Sequence, residues 1–346
     1  MKVAFITGAG GQDASYLIEF LLTKNYIIHG LVRRNSVLDF PRLRDVRKNS
    51  NLHLHYGDLT DTSSINRILR IIKTKHQQFQ LEVYHLAAQS HVGISFECPE
   101  YTTQAITMGI LNILECIKNQ NMIEYTKIYN ASTSEMFGNQ PAPQNENTQF
   151  DPKSPYACAK VFAHNLCEIY RDSYNMFVCS GLLFNHSSVR RTSNFILRKI
   201  AIGVAKYKTL DKILTLGNLN AKRDIGTSRD YVEGMYLMLQ QETPQDFVLA
   251  TETQYTIREF VEMAFEVIGK TITWKGSGLD EIGYDQEGNV IVEVNECFYR
   301  PNEVNNLLGD ASKARQYLGW KPKTSTKDLL REMVEHELNQ SHITSV

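Results

Sequence analysis

The sequence predicts an α/β chain: a doubly wound parallel Rossmann-type sheet with a smaller, discontinuous α/β lobe. Three observations predict it. Short, nearly continuous apolar runs recur through the first half, as strands buried on both faces require. The first run opens directly into a glycine-rich turn and a helical pattern. Each of the first four runs ends in small or polar residues, the arrangement of strand ends that face a ligand crevice.

Lys2 to Thr7 is the first strand, and Ser15 to Leu22 carries apolar residues at helical spacing. The turn between them supplies Gly8, Ala9, Gly10, Gly11, Gln12 and Asp13, with Gly8, Gly11 and Ala14 at the small positions of T-G-x-x-G-x-x-[GA]. The first small residue permits the turn, the second lets a pyrophosphate approach the backbone, and the third lets helix and strand pack closely. Strand two, Ile27 to Val32, runs into Arg33, Arg34, Asn35 and Ser36. A site for NAD places an acid there; two guanidiniums and two small polar groups suit the 2'-phosphate of NADP. Leu52 to Tyr56 is the third strand, followed by Asp58 and Leu59, which are placed to meet an adenine amino group and its ring. The fourth, Leu81 to Leu86, ends in Ala87, Ala88, Gln89 and Ser90, small enough for a flat cofactor to lie on backbone. His91 is expected to be a structural hydrogen-bonder.

The chemistry concentrates between residues 131 and 160. Lys127 to Ala131 reads as a buried strand delivering Ser132, Thr133, Ser134 and Glu135 at its carboxyl end. Thr133 and Glu135, two apart on an extended chain, are expected on one face. Tyr156 and Lys160 lie four apart on a helix running to about Tyr174 and share a face. A hydroxyl, a carboxylate, a phenol and an amine in this order point to acid/base work. Cys158, between the last two, is expected to be a small half-buried helix residue, since no histidine stands at a motif distance.

Phe177 to Leu183 is a further strand, and Phe247 to Thr251 returns to the sheet. Thr256 and Glu259 have capping-box spacing at the start of a helix to Ile268, and Leu329 to Leu338 is amphipathic. Residues 1–185 with 231–251 are expected to form the cofactor domain, and 186–230 with 252–346 the second lobe. That lobe carries Arg190, Arg191, Arg198, Lys199, Lys222, Arg223, Arg229 and Arg300 among apolar residues, as a second pyrophosphate would require.

Composition excludes other classes. A net charge of -1 from 37 basic and 38 acidic residues does not favour nucleic-acid binding through phosphate neutralisation. No apolar run approaches a membrane span, and Met1-Lys2 leads directly into a strand, so a cytoplasmic location is expected. Six cysteines without a C-x-x-C pair suggest neither a metal site nor a disulfide framework.

With these pieces placed, the whole chain resembles the extended short-chain dehydrogenase/reductases and, within them, the GDP-mannose 4,6-dehydratase family. The resemblance is carried by TGAGGQDASYL (7–17), VRRNS (32–36), HYGDLTD (55–61), LAAQSHVGISF (86–96), NASTSEMFG (130–138), SPYACAK (154–160), LLFNHSSVRR (182–191), LGNLNAKRD (216–224) and YRPNEV (299–304). The chain departs from the family pattern at Ala14, where glycine is usual, and at Gly93, where lysine is common. It departs again in the loop after Ser36, which in relatives reaches a neighbouring subunit and so bears on whether the protein is a homodimer or homotetramer.

The resemblance implies conversion of GDP-mannose to its 4-keto-6-deoxy derivative with loss of water and no net redox change. Tyr156 would act as base at the C4 hydroxyl, Thr133 would hold that oxygen, and Glu135 would move the C5 proton. Lys160, at ~4 Å, would supply about 4 kcal/mol of Coulomb energy to lower the phenol, whose free value is near ~10. The resemblance adds Tyr101, His186 and Arg191 to the cofactor contacts, with Lys160 on the nicotinamide ribose. It places Ser90, Asn185, Lys199, Lys222, Arg223, Arg300 and Glu303 around the sugar nucleotide. A nucleotide-sugar reductase or 4-epimerase would lack the need for Glu135, and a silent NADP-binding module would lack one of Thr133, Tyr156 or Lys160.

Overall fold

A computed structural model describes residues 1–34, 40–299 and 302–343, with side chains to 340. Its strands are β1 (Lys2–Thr7), β2 (Ile27–Val32), β3 (Leu52–Tyr56), β4 (Gln80–His85), β5 (Thr126–Ala131), β6 (Phe177–Leu183), β7 (Asn185–Ser187), β8 (Leu214–Leu216), β9 (Lys222–Thr227), β10 (Phe247–Leu249), β11 (Gln254–Thr256), β12 (Thr273–Lys275), β13 (Ile282–Tyr284), β14 (Val290–Val294) and β15 (Asn306–Leu307). The helices are α1 (Gln12–Thr23), α2 (Thr62–Lys75), α3 (Val92–Glu97), α4 (Pro99–Asn119), α5 (Pro155–Tyr174), α6 (Ile196–Leu210), α7 (Ser228–Leu239), α8 (Ile257–Glu266), α9 (Ser312–Leu318) and α10 (Thr326–Ile343).

Among the described residues the main sheet has seven strands in the order β10-β6-β5-β4-β1-β2-β3, and every pairing in it is parallel. The order reverses beside β1, where β4 follows on one side and β2 on the other. That reversal opens a crevice at the carboxyl ends of the strands. The apolar runs are continuous because both faces are covered. Leu17 and Leu21 of α1, with Met235 and Met238 of α7, pack on one face. Ile65 to Ile72 of α2, Ile106 to Ile117 of α4 and the buried face of α5 pack on the other.

The chain leaves the sheet directly after β6. β7 pairs with β9, which also holds β11 and β15, and β12-β13-β14-β8 form a third sheet. Ile200 and Val204 of α6, Phe260 and Phe265 of α8, and Leu330 and Met333 of α10 make a separate core there. The capping box of α8 forms in full, Thr256 accepting from the Glu259 amide at 3.1 Å while Glu259 reaches back to the Thr256 amide at 2.6 Å.

Candidate active site

A cavity of about 1130 Å³ runs along the carboxyl ends of the strands and under the second lobe, more than one small ligand occupies. At one end Gly8 turns with φ of 69°, and a Cβ on it would sit 3.0 Å from the Ala87 Cα. Only glycine fits that approach of two strand ends. Gly11 is the N-cap of α1 and offers no side-chain acceptor, so the first amides of the helix stay open toward the cavity. Such a cradle suits a pyrophosphate.

Asp13 points across the cavity to the second lobe. Its carboxylate lies 2.9 Å from His186 Nε2, and His186 Nδ1 lies 2.9 Å from the Phe184 carbonyl oxygen. Burial would raise the Asp13 carboxyl, but attraction to and hydrogen bonding with His186, with the Arg191 charge, hold it well below the usual carboxylate range. Arg42 closes this end, donating to the Gly10 carbonyl at 3.0 Å and the Arg190 carbonyl at 2.7 Å. Nothing in its surrounding sequence signals that role.

Toward the adenosine end, Asp58, Leu59, Leu86, Ala87, Ala88, Gln89, Ser90, Arg33 and Tyr101 line the cavity. Arg33 donates to the Tyr101 hydroxyl. Asp58 turns its carboxylate back on Thr60, accepting from the amide at 3.0 Å and the hydroxyl at 2.9 Å. Asn35 and Ser36 lie outside the described residues, as does Arg300. His91 is structural: it caps α3 by accepting from the Ile94 amide at 3.2 Å.

Thr133, Glu135, Tyr156 and Lys160 share one stretch of the cavity wall, the first two brought there by a turn rather than by strand alternation. β5 ends at Ala131, Thr133 is extended with φ of -153°, and Ser134–Phe137 forms a 3₁₀ turn. Thr133 Oγ1 accepts from the Glu135 amide at 3.2 Å, so the two side chains share the cavity wall through a cap. The turn closes at Gly138, where a Cβ would strike the Asp151 carbonyl oxygen. The expectation that alternation aligns Thr133 and Glu135 is therefore corrected.

Ser154 caps α5 by accepting from the Ala157 amide at 3.1 Å, with Pro155 in the first turn. Tyr156 and Lys160 share the buried face of that helix, while Cys158 on the opposite face is exposed rather than half-buried. Lys160 Nζ donates to the Ala131 carbonyl at 2.6 Å and lies 5.9 Å from the Tyr156 ring centroid. Burial pulls the amine down to about 8. Burial likewise pushes the Tyr156 phenol up to about 12; hydrogen bonding with Thr133 opposes this, Glu135 adds to it, and the cation drawing it down is Arg191. The expected lowering of the phenol by Lys160 is therefore not found: burial outweighs the Thr133 hydrogen bond and the Arg191 charge.

On the far wall, Asn185 opens β7 with its Oδ1 buried and unpartnered. Lys199 lies 3.1 Å from the Phe298 ring centroid, and burial pulls its amine down to about 8. Arg223 is buried and donates to Glu303 at 2.8 Å, both on the cavity wall. Lys222 opens β9 exposed to solvent and does not line the cavity.

A doubly wound sheet with its crevice at β1, a Tyr-x-x-x-Lys pair on α5 and a hydroxyl beside it define an extended short-chain dehydrogenase/reductase. The family described as GDP-mannose 4,6 dehydratase matches residues 5–333, and the chain belongs to it. It is 47% identical over 346 residues to GDP-mannose 4,6 dehydratase of Homo sapiens, covering 97% of this chain and 91% of that one. It is 46% identical over 346 residues to that of Drosophila melanogaster (97% and 86%) and 45% identical over 355 residues to that of Vibrio cholerae (97% and 94%). In three dimensions it is similar to a dTDP-glucose 4,6-dehydratase from Bacillus anthracis, with TM-score 0.79, 18% identity and coverage of 99% and 98%. It is also similar to a UDP-glucose 4-epimerase from Thermotoga maritima, with TM-score 0.80, 20% identity and coverage of 99% and 100%. At these identities the likeness concerns the fold. Among the described residues, no helix is long and apolar enough to cross a membrane.

Proposed function

We propose that the chain converts GDP-mannose to GDP-4-keto-6-deoxymannose and water using NADP. The observation that carries this reading is a buried carboxylate, Glu135, on the same cavity wall as Thr133, Tyr156 and Lys160. An oxidation at C4 needs only the last three. Elimination across C5 and C6 needs a further group to move a proton, and Glu135 stands where one is required.

Thr133 and Tyr156 hold the C4 oxygen, and Tyr156 takes its proton. NADP, which the open amides of α1 and the residues at the ends of β2 to β5 would hold, would supply a hydride acceptor for C4 and a hydride donor for C6. Lys160, anchored on Ala131, holds the nicotinamide ribose. The 4-keto group acidifies the C5 proton, which Glu135 removes and passes to the C6 hydroxyl as it leaves as water. The proton that Tyr156 took from the C4 oxygen is delivered to C5 when C6 is reduced, which returns Tyr156 to its starting state. Arg33, Arg34, Asn35 and Ser36 are assigned to the 2'-phosphate. Gly8 to Asp13, Asp58, Leu59, Leu86 to Ser90, Tyr101, His186 and Arg191 hold the rest of the cofactor. Ser90, Asn185, Lys199, Arg223, Arg300 and Glu303 are assigned to the sugar nucleotide, while Lys222, exposed outside the cavity, is not.

Residues 1–185 and 231–251 serve the cofactor, and 186–230 and 252–346 the substrate. A homo-oligomer is favoured by Met108 on α4 and Phe162 and Ile169 on α5, large apolar side chains exposed on adjoining helices.

The test is mass spectrometry of the product from GDP-mannose and NADP+. A keto sugar nucleotide lighter by one water, without accumulation of NADPH, is expected. Unchanged substrate under conditions where NADP+ binds overturns the reading.

A further inference from the structure

At its adenosine end the main cavity shares Arg33, Gly57 and Asp58 with a second recess of about 600 Å³. Its outer wall is formed by Arg34 and by Arg67, which lies on α2, far from the β2 end in sequence. Arg67 Nη2 donates to the Tyr56 carbonyl at 2.8 Å, which holds the exposed guanidinium against the end of β3. The acids of the recess are already engaged. Asp61 caps α2 by accepting from the Ser63 amide at 3.0 Å, and Asp58 is turned onto Thr60. Three guanidiniums therefore face a pocket whose carboxylates are committed to backbone and hydroxyl donors.

In a sheet of this order the adenosine ribose of a dinucleotide lies at the end of β2, beside Arg33. A phosphate on its 2' oxygen enters the recess, where it needs forked, charge-assisted donors. We propose that Arg67 is a specificity-determining residue, a guanidinium from α2 that completes the 2'-phosphate site begun by Arg33 and Arg34 and sets the preference for NADP over NAD. The inference rests on the NADP reading given above and adds to it a residue from a separate element.

Dissociation constants for NADPH and NADH, measured by titration calorimetry on wild type, Arg67→Gln and Arg67→Lys, test it. Wild type is expected to prefer NADPH. Arg67→Gln is expected to weaken NADPH by about 10- to 100-fold, the worth of a charged hydrogen bond, while leaving NADH unchanged. Arg67→Lys is expected to fall between, since it keeps the charge and loses the fork. An Arg67→Gln chain that keeps the wild-type NADPH to NADH ratio, or loses both cofactors equally, overturns the assignment of Arg67 alone. A wild type that binds both equally overturns the NADP reading and this inference with it.

Discussion

Tyr156 and Lys160 show how burial alters a familiar pair. Their spacing puts both on one face of α5, yet each is desolvated, and the amine spends its hydrogen bond on the Ala131 carbonyl. One of the amine's three N–H groups is thus held by backbone, and the phenol is drawn down by hydrogen bonding with Thr133 and by the Arg191 charge. Thr133→Val is expected to lower kcat by about 10²- to 10⁴-fold through loss of a group that shares the C4 proton. A steady-state assay checks it, with the NADP+ dissociation constant expected to stay at the wild-type value. Glu135→Gln separates the two halves of the reaction. Loss of water is expected to stop, while oxidation at C4 persists and appears as one equivalent of absorbance from reduced cofactor per site. Continued dehydration by Glu135→Gln would remove the glutamate from its assigned role. The residue types here are legible from spacing; their protonation is not, because desolvation depends on what the rest of the chain lays over them.

At the scale of elements, β2, β3 and the end of α2 meet in a cluster of four imidazoles. His29 Nδ1 lies 2.8 Å from His55 Nε2, and His29 Nε2 lies 3.0 Å from His76 Nε2. The His53 ring lies 5.1 Å from that of His29, with Lys75 Nζ 3.2 Å from His53 Nε2. Burial, with the neighbouring imidazoles and Lys75, pushes His29 down to about 3. Burial and Lys75 lower His53, burial and the nearby Arg67 lower His55, and burial and Lys75 lower His76. The unfolded chain binds protons below about 6.5 that the folded cluster refuses. Stability is thus present in full above that value and is lost as pH falls toward 3, at about 1.4 kcal/mol per pH unit for each excess proton. Melting temperatures at pH 5 and pH 7.5 are expected to differ in the wild type, and the difference to be smaller in His29→Leu, which leaves the lowered His53, His55 and His76 in place. Alternation in β2 and β3 marks these histidines as facing one side, but their meeting requires the parallel register of His29 with His53.

Across the whole molecule, one buried carboxylate joins segments distant in sequence. Asp224 on β9 accepts from the Thr251 amide at 2.8 Å and hydroxyl at 2.6 Å, the Glu252 amide at 3.0 Å and the Gly309 amide at 3.3 Å. It ties the strand that carries Arg223 to the exit from the main sheet and to the segment after β15. Asp224→Ala leaves the buried Gly309 amide and the part-buried Thr251 and Glu252 amides without this acceptor, and a destabilisation of about 3 kcal/mol is expected in urea unfolding. An unfolding midpoint close to wild type would show that other contacts join these segments.

The strands of the main sheet, the glycine-rich turn, the cap of α5 and the identity of the Thr133, Glu135, Tyr156 and Lys160 candidates are all written in local sequence. Apolar periodicity, φ limits and capping chemistry act over a few residues and need no knowledge of the rest of the chain. Only tertiary structure decided that Glu135 reaches the cavity through a 3₁₀ turn, that Asp13 meets His186, that Lys222 stays outside, that Arg42 enters and that Arg67 lines the adjoining recess. Each of those depends on which distant elements share a surface and on how much water they exclude, and neither quantity is written in the spacing of residues along one strand or helix.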